Sequence, residues 1–374
     1  MDGSLASTIA FCKRCLYPST KPDLFFEGGV CSACRAYDRR KQTDWPARKR
    51  ELEILLERGR NGSGYDCIVP SSGGKDSHWQ VLTLIAMGAR PLVVTAATCH
   101  LTPIGRANID NLARYATTIE VTPNRRARAA LNRIGLKWVG DISYPEHAAI
   151  FGIPFKVACD LGIPLIFYGE CPQEAYGGPP GADEAREMTL RWVQEYGGLN
   201  GLRLSDCVGE DGVTEADTRD YLVSAERVKA AGVTAYFLGQ FYEWDSRRNA
   251  SVAKAAGMRW MLPCGANWWE FENLDNAQTG LHDHMMYRKF GFGRMVAQLS
   301  VDIRAGVIAR AEAVEIARAG DGAFPETYAG VPLDETLAAI GITRADLFRE
   351  MDRHTNPKLF DRESGGLARR FELC

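Results

Sequence analysis

The sequence predicts an α/β protein built on a parallel, doubly wound sheet, with a small metal-binding module ahead of it and a helical region behind it. Three observations carry this. Between Tyr65 and Gly265, short apolar runs alternate with helix-length stretches. Two Cys-x-x-Cys pairs precede that region. Beyond Gly265 the apolar residues recur at helical spacing. The expected divisions are residues 1–43, 44–264 and 265–374.

Residues 12–40 read as compact and turn-rich. Asp44 suits the cap of a helix over 44–58, with Pro46 in its first turn, and Asn61, Gly62, Ser63 and Gly64 read as a linker. Strands are expected at Cys67–Pro70, Pro91–Ala96, Thr118–Val121, Leu165–Tyr168 and Ala235–Leu238, with a final short one at Arg259–Leu262. Helices are expected over Asp76–Met87, Ile104–Tyr115 and Arg126–Leu136. After Gly265 strands are expected to stop, and helices follow at Met285–Phe290, Ala297–Arg304, Arg310–Arg318 and Asp346–Arg353. Ligands of such sheets bind at the carboxyl ends of the strands.

The composition excludes some classes. With 45% hydrophobic and 25% charged residues in a chain of 374, a soluble globular protein is expected. No apolar run approaches the roughly 18 residues that span a bilayer. Met1 to Phe11 lacks a basic start followed by an apolar stretch, so a cytoplasmic location without a membrane partner is expected. The net charge is −2, and the one dense basic run, Arg125, Arg126 and Arg128 with Arg133 beyond, reads as a solvated helix face. Both points argue against nucleic acid as a partner.

The pairs Cys12/Cys15 and Cys31/Cys34 each let a tight turn aim two sulfurs at one ion. Two such turns supply the four thiolates that zinc favours, and a site filled by protein ligands is structural. Gly28 and Gly29 suit the turn before the second pair.

The strand Cys67–Pro70 runs into Ser71, Ser72, Gly73, Gly74, Lys75, Asp76 and Ser77 before a helix. The glycines bring backbone N–H groups toward a ligand, and the helix N-terminus adds its own free N–H groups and positive dipole end. The serine hydroxyls and Lys75 complete a cup for pyrophosphate. It is neither a Walker A loop, because Asp76 follows Lys75, nor a dinucleotide fingerprint. Asp76 suits either a magnesium contact or a helix cap.

The hexapeptide Ser72–Ser77 resembles the PP-loop of the ATP-pyrophosphatase superfamily, with its adenine nucleotide alpha hydrolase-like sheet. The Cys-x-x-Cys pairs and Tyr65 to Pro70 resemble the N-acetyl sugar amidotransferase family. So do Trp268-Trp269-Glu270-Phe271-Glu272-Asn273-Leu274-Asp275-Asn276, Gly280-Leu281-His282-Asp283-His284 and Lys289 to Arg294. The resemblance implies an N-terminal zinc ribbon and conversion of an acetamido group on a bacterial sugar, free or nucleotide-linked, into an acetamidino group. ATP and Mg2+ would supply the activation and AMP and pyrophosphate would leave. The products would enter lipopolysaccharide O-antigen or flagellin glycans. Ammonia would come from a partner glutaminase, since no cysteine here sits in a Gly-x-Cys-x-Gly elbow.

On this reading Lys75, Asp76, Glu170, Glu272 and His282 are the catalytic candidates, with Glu170 on the ligand edge after the fourth strand. Trp269, Asn273, Asp275, Asp283 and His284 are candidates for substrate contact, and histidine with carboxylate there would also suit a second metal. Cys99, Cys171 and Cys264 each follow a strand end. Together they would allow an iron–sulfur cluster or a persulfide, hence the alternative of sulfur transfer to a small molecule or tRNA by the same adenylation. A third reading is a zinc-ribbon binding module on a non-catalytic nucleotide fold.

Overall fold

The computed structural model describes residues 9–60, 62, 64–178, 186–363 and 366–373. Asn61 and Ser63 of the expected linker, and Met1 to Thr8, lie outside the described residues.

Five parallel strands form the central sheet, in the order Thr118–Val121, Pro91–Ala96, Cys67–Pro70, Leu165–Tyr168, Thr234–Phe237. Chain order reverses direction between Cys67–Pro70 and Leu165–Tyr168, which opens a crevice at their carboxyl ends. The inner strands read as apolar runs because both faces are covered. Ile68, Leu92, Val94 and Ile166 pack with the helices Arg125–Val139 and Tyr144–Leu161 on one face. Cys67, Val69, Val93 and Phe167 pack with Trp45–Gly59 and Lys75–Ala86 on the other.

Four strands have the bounds the sequence suggests, and the fifth starts one residue early. Arg259–Leu262 is not a strand. The Asn108 side chain takes both hydrogen-bonding groups of Arg259 instead: Nδ2 donates to its carbonyl at 3.1 Å and Oδ1 accepts from its N–H at 2.7 Å. Strands also do not stop after Gly265. Thr327–Tyr328 pairs with Val331–Pro332, and Phe360–Glu363 with Gly366–Arg369, both antiparallel.

The helix Tyr144–Leu161 was not expected, since Gly152 and Pro154 in its interior mask its period. Gly152 is there for close packing: a Cβ would lie 1.9 Å from the Tyr221 carbonyl oxygen. Among the described residues, no helix is long and apolar enough to cross a membrane.

The cysteine-bearing segment forms a hairpin, Phe26–Glu27 against Val30–Cys31, followed by the helix Ser32–Arg40. It shares one apolar core with the C-terminal helices Arg294–Arg304 and Arg310–Gly320, where Leu16, Tyr17 and Ala33 meet Val296, Leu299 and Ala313. Arg310 donates to the carbonyl oxygens of Cys15 and Cys12 at 3.2 and 3.3 Å.

Asp321 closes the start of Arg294–Arg304 by accepting from the N–H groups of Gly293 at 2.9 Å and Val296 at 3.3 Å. Burial pushes its carboxyl up to about 6. An acid that binds its proton more tightly when folded stabilises the fold below its unfolded pKa, and that contribution fades as pH rises through the folded value. The wild type should therefore lose up to about 3 kcal/mol through this group between about pH 4 and pH 6. Asp321→Asn should lack that component. Urea midpoints at pH 4.5 and pH 7 that fall equally in both proteins would contradict this.

Candidate active site

Ser71 extends the central strand by donating its N–H to the Val94 carbonyl at 2.9 Å. The chain then turns through Gly73, at φ +79°, whose N–H donates to Ser71 Oγ at 2.9 Å. A Cβ on Gly73 would lie 2.8 Å from the backbone nitrogen of Ile109. Gly73→Ala thus meets both the left-handed penalty and a backbone clash. It should cost about 1–3 kcal/mol in thermal unfolding; a variant that melts as the wild type does would refute the constraint.

The helix Lys75–Ala86 starts with no side-chain cap, so its first-turn amides are not claimed by a side chain. Asp76 does not cap it. Its Oδ2 accepts from Lys75 Nζ at 2.7 Å and its Oδ1 from Asn249 Nδ2 at 3.1 Å. Below the turn, His78 Nδ1 lies 3.0 Å from the Gly74 carbonyl, and Nε2 lies 3.0 Å from Asn111 Nδ2. These partners assign the neutral tautomer with hydrogen on Nδ1, and burial lowers the pKa of His78 accordingly. It is a fixed strut under the loop.

Lys75 is 3% exposed and reaches across the turn to Glu272 Oε1 at 2.8 Å. Burial opposes its charge, but Asp76, Glu272 and Glu170 outweigh that and hold its pKa above the usual value. Glu272 Oε2 accepts from Gln298 Nε2 at 2.8 Å. Burial acts to raise its pKa, and Lys75 and Arg294 overcome this and lower it.

The segment carrying Glu272 is stitched down on both sides. Asn273 takes a left-handed turn at φ +59°, and its carbonyl accepts from Tyr328 Oη at 2.9 Å. Thr102 Oγ1 donates to the Leu274 carbonyl, and the Thr102 N–H to that of Asp275 at 2.9 Å. Gly105 permits this approach, since a Cβ there would lie 2.5 Å from Asp275 Cα.

A cavity of about 170 Å³ lies between Ser72–Ser77 and Phe271–Asp275. A larger cleft of about 430 Å³ adjoins it, sharing Ser72, Asp76, Ser77, Asn273 and Asp275. Glu170, His282 and Arg294 line this cleft, beside apolar walls from Phe151, Tyr168 and Trp192. Burial and the charge of Asp76 push Glu170 up to about 7, against the pull of Lys75. Burial raises Asp275 to about 6.

The fold therefore gathers Ser72–Ser77, Glu170, Glu272, Asn273, Asp275 and His282 around two connected cavities. Trp269, Asp283 and His284 line neither. Trp269 and Trp268 donate their indole N–H groups to Asp302 Oδ2 at 3.0 and 2.8 Å, an anchor that Arg247 completes. Asp283 pairs with Arg294 Nη2 at 2.8 Å. His284 is buried against Phe324, and burial together with Arg288 lowers it to about 4.

Asp141, His147, His78, Asn249 and Arg294 were not singled out as site residues. His147 and Asp141 escaped with the helix Tyr144–Leu161, although Pro145 in its first turn is a start signal and histidine is scarce, at six in the chain. Asp141 lies between His147 Nδ1, at 3.2 Å, and His282 Nδ1, at 2.8 Å.

The three cysteines expected after strand ends do not converge. Cys99 donates its N–H to Glu146 at 3.1 Å, Cys171 sits in the core on one sheet face, and the Cys264 carbonyl accepts from Asn267. Among the described residues they form no three-ligand group, which corrects the expectation of an iron–sulfur site there. Cys99 and Cys171 follow strand ends, whereas the segment before Cys264 is not a strand, and the three lie in different packing regions.

The sulfurs of Cys12, Cys15, Cys31 and Cys34 are buried and lie within 4.8 Å of one another, with Cys12–Cys34 at 3.8 Å and Cys15–Cys31 at 3.6 Å. Zinc–sulfur bonds of about 2.3 Å give tetrahedral edges of about 3.8 Å, so the set fits zinc. The N–H groups of Arg14, Cys15 and Cys31 point at Cys12 Sγ from 3.4 to 3.5 Å, as suits a thiolate.

Residues 266–372 match the family model of the LPS biosynthesis protein WbpG-like, C-terminal domain. A comparison with curated proteins found no match.

Proposed function

For a chain that carries a WbpG-like C-terminal domain over residues 266–372, we propose an AMP-forming, ATP-dependent amidotransferase acting on an N-acetylated sugar of lipopolysaccharide biosynthesis. The observation that carries this is the junction of the Ser72–Ser77 turn with Glu272 to Asp275 of that domain, joined through Lys75 and enclosing one cavity. A glycine turn and an uncapped helix start at the switch point of a parallel sheet suit a polyphosphate. Residues of the family-matched domain then close over it.

In this reaction the acetamido oxygen attacks the α-phosphorus of ATP, and pyrophosphate leaves. The resulting O-adenylyl imidate is attacked at carbon by ammonia, and AMP departs with the former carbonyl oxygen. Ser72, the loop amides and the Ser77 hydroxyl hold the leaving pyrophosphate. Mg2+, brought by the nucleotide, would meet the carboxylate of Asp76 and offset phosphate charge. Lys75 steadies Asp76 and Glu272 on the cavity wall. Glu170, held near neutrality, is suited to take a proton from the attacking ammonia. The apolar walls of the cleft keep water from the imidate. Ammonia is expected from a glutaminase partner.

The sulfur-transfer alternative lacks its three-cysteine site. The deciding experiment incubates the protein with ATP, ammonium and an N-acetylated nucleotide sugar labelled with 18O in the acetamido carbonyl. Label should appear in AMP, and the sugar should lose about one mass unit relative to its unlabelled form. Release of ADP, or AMP free of label beside amidinated product, would overturn the proposal.

A further inference from the structure

We propose that Asp141, His147 and His282 form a divalent transition-metal site whose open position faces the larger cleft. Asp141 stands in the turn between Arg125–Val139 and Tyr144–Leu161, His147 in the first turn of the latter, and His282 on the helix Thr279–Phe290. Two segments distant in sequence thus bring two imidazoles to one carboxylate.

The spacing is that of ligands. The donor atoms all lie within 4.8 Å, with Asp141 to His282 Nδ1 at 2.8 Å and to His147 Nδ1 at 3.2 Å. Around a tetrahedral ion with bonds of about 2.0–2.1 Å, neighbouring ligands sit about 3.3 Å apart. The rings stand 79° to each other, so they converge on the carboxylate rather than stack. His147 Nδ1 is buried and faces Asp141 Oδ2 at 3.2 Å, so it points at the carboxylate that would share the ion.

Asp141 is 1% exposed and held in place: the Ser143 N–H donates to its Oδ1 at 2.9 Å. Such an outer bond orients a carboxylate for a metal. Two imidazoles and one carboxylate suit Zn2+, Mn2+ or Fe2+ rather than Mg2+, and three protein ligands leave room for a further donor. His147 and His282 line the same cleft as Ser72, Asp76 and Glu170. A carbonyl, hydroxyl or phosphate oxygen bound there would complete the coordination. The site is distinct from the four-cysteine cluster and stands whether or not the reaction is amidotransfer.

The test uses the full chain with its cysteine site loaded with zinc, titrated with Co2+ alone. One further equivalent should bind, with visible d–d absorption and no thiolate charge-transfer band. His147→Ala and His282→Ala should each weaken it by roughly 100-fold, at least what loss of an outer partner costs, while Asp76→Asn retains it. In the wild type, paramagnetically shifted proton resonances from two imidazoles should appear, a readout that does not depend on the variants folding. Absence of a second equivalent, absence of shifted imidazole signals, or binding unchanged in both histidine variants would overturn the assignment.

Discussion

Lys75→Met should lower folding stability by about 3–5 kcal/mol, the usual cost of removing one member of a buried ion pair, and abolish the proposed ATP turnover. The lysine contacts Asp76 at 2.7 Å and Glu272 at 2.8 Å and is nearly sealed from solvent. Without it, Glu272 keeps Gln298 and the field of Arg294 but loses its direct counter-ion. Burial, which acts to raise its pKa, should then be opposed only by Arg294 and Gln298. The pairing also joins the Ser72–Ser77 turn to the region that matches the WbpG-like model, so the wall of the small cavity should loosen. Lys75→Met with Glu272→Gln should recover much of the lost stability, because it removes the stranded charge, and should recover no turnover. Urea unfolding of the two single variants and the double variant measures the coupling. A single variant within about 0.5 kcal/mol of wild type would show that the pair is not what holds the two regions together.

Much of the sheet was legible because its inner strands, Cys67–Pro70, Pro91–Ala96 and Leu165–Tyr168, are buried on both faces and so read as apolar runs ended by glycine or a polar turn. The turn at Ser72–Ser77 was legible for a related reason. Gly73 is confined by its positive φ and by Ile109, and such a constraint shows as a residue type. Glu272 and its neighbours were visible only as a resemblance. Their approach to Lys75 depends on Thr102, Gly105 and Tyr328, which lie far away in sequence and carry no local signal. The same holds for Asp141 and His147. The glycine and proline inside Tyr144–Leu161 concealed the helix that presents His147, and no spacing rule links either residue to His282. Local constraint is written in order along the chain, whereas convergence of distant side chains is set by tertiary packing.

Cys31→Ser should remove bound zinc and destabilise the C-terminal region, not the ribbon alone. Cys31 Sγ lies 3.6 Å from Cys15 Sγ, and its N–H points at Cys12 Sγ, so one substitution disturbs both pairs. Structural zinc is worth about 10–16 kcal/mol to small peptides that fold only with it. Even a part of that should lower the melting temperature by more than about 10 °C. The loss should spread because Leu16, Tyr17 and Ala33 share a core with Val296, Leu299 and Ala313, while Arg310 holds the carbonyls of Cys12 and Cys15. The helix Arg294–Arg304 carries Gln298, which holds Glu272, and Asp302, which anchors Trp268 and Trp269. The ribbon thus supports the cavity wall from a distance. Hydrogen exchange should accelerate in Arg294–Arg304 before it does in the strand Pro91–Ala96, whose two parallel neighbours keep it off the edge of the sheet. Zinc content near one equivalent in wild type and near zero in the variant, with that order of exchange, is the expected result. Equal protection of the helix in both proteins would show that the metal stabilises only its own hairpin.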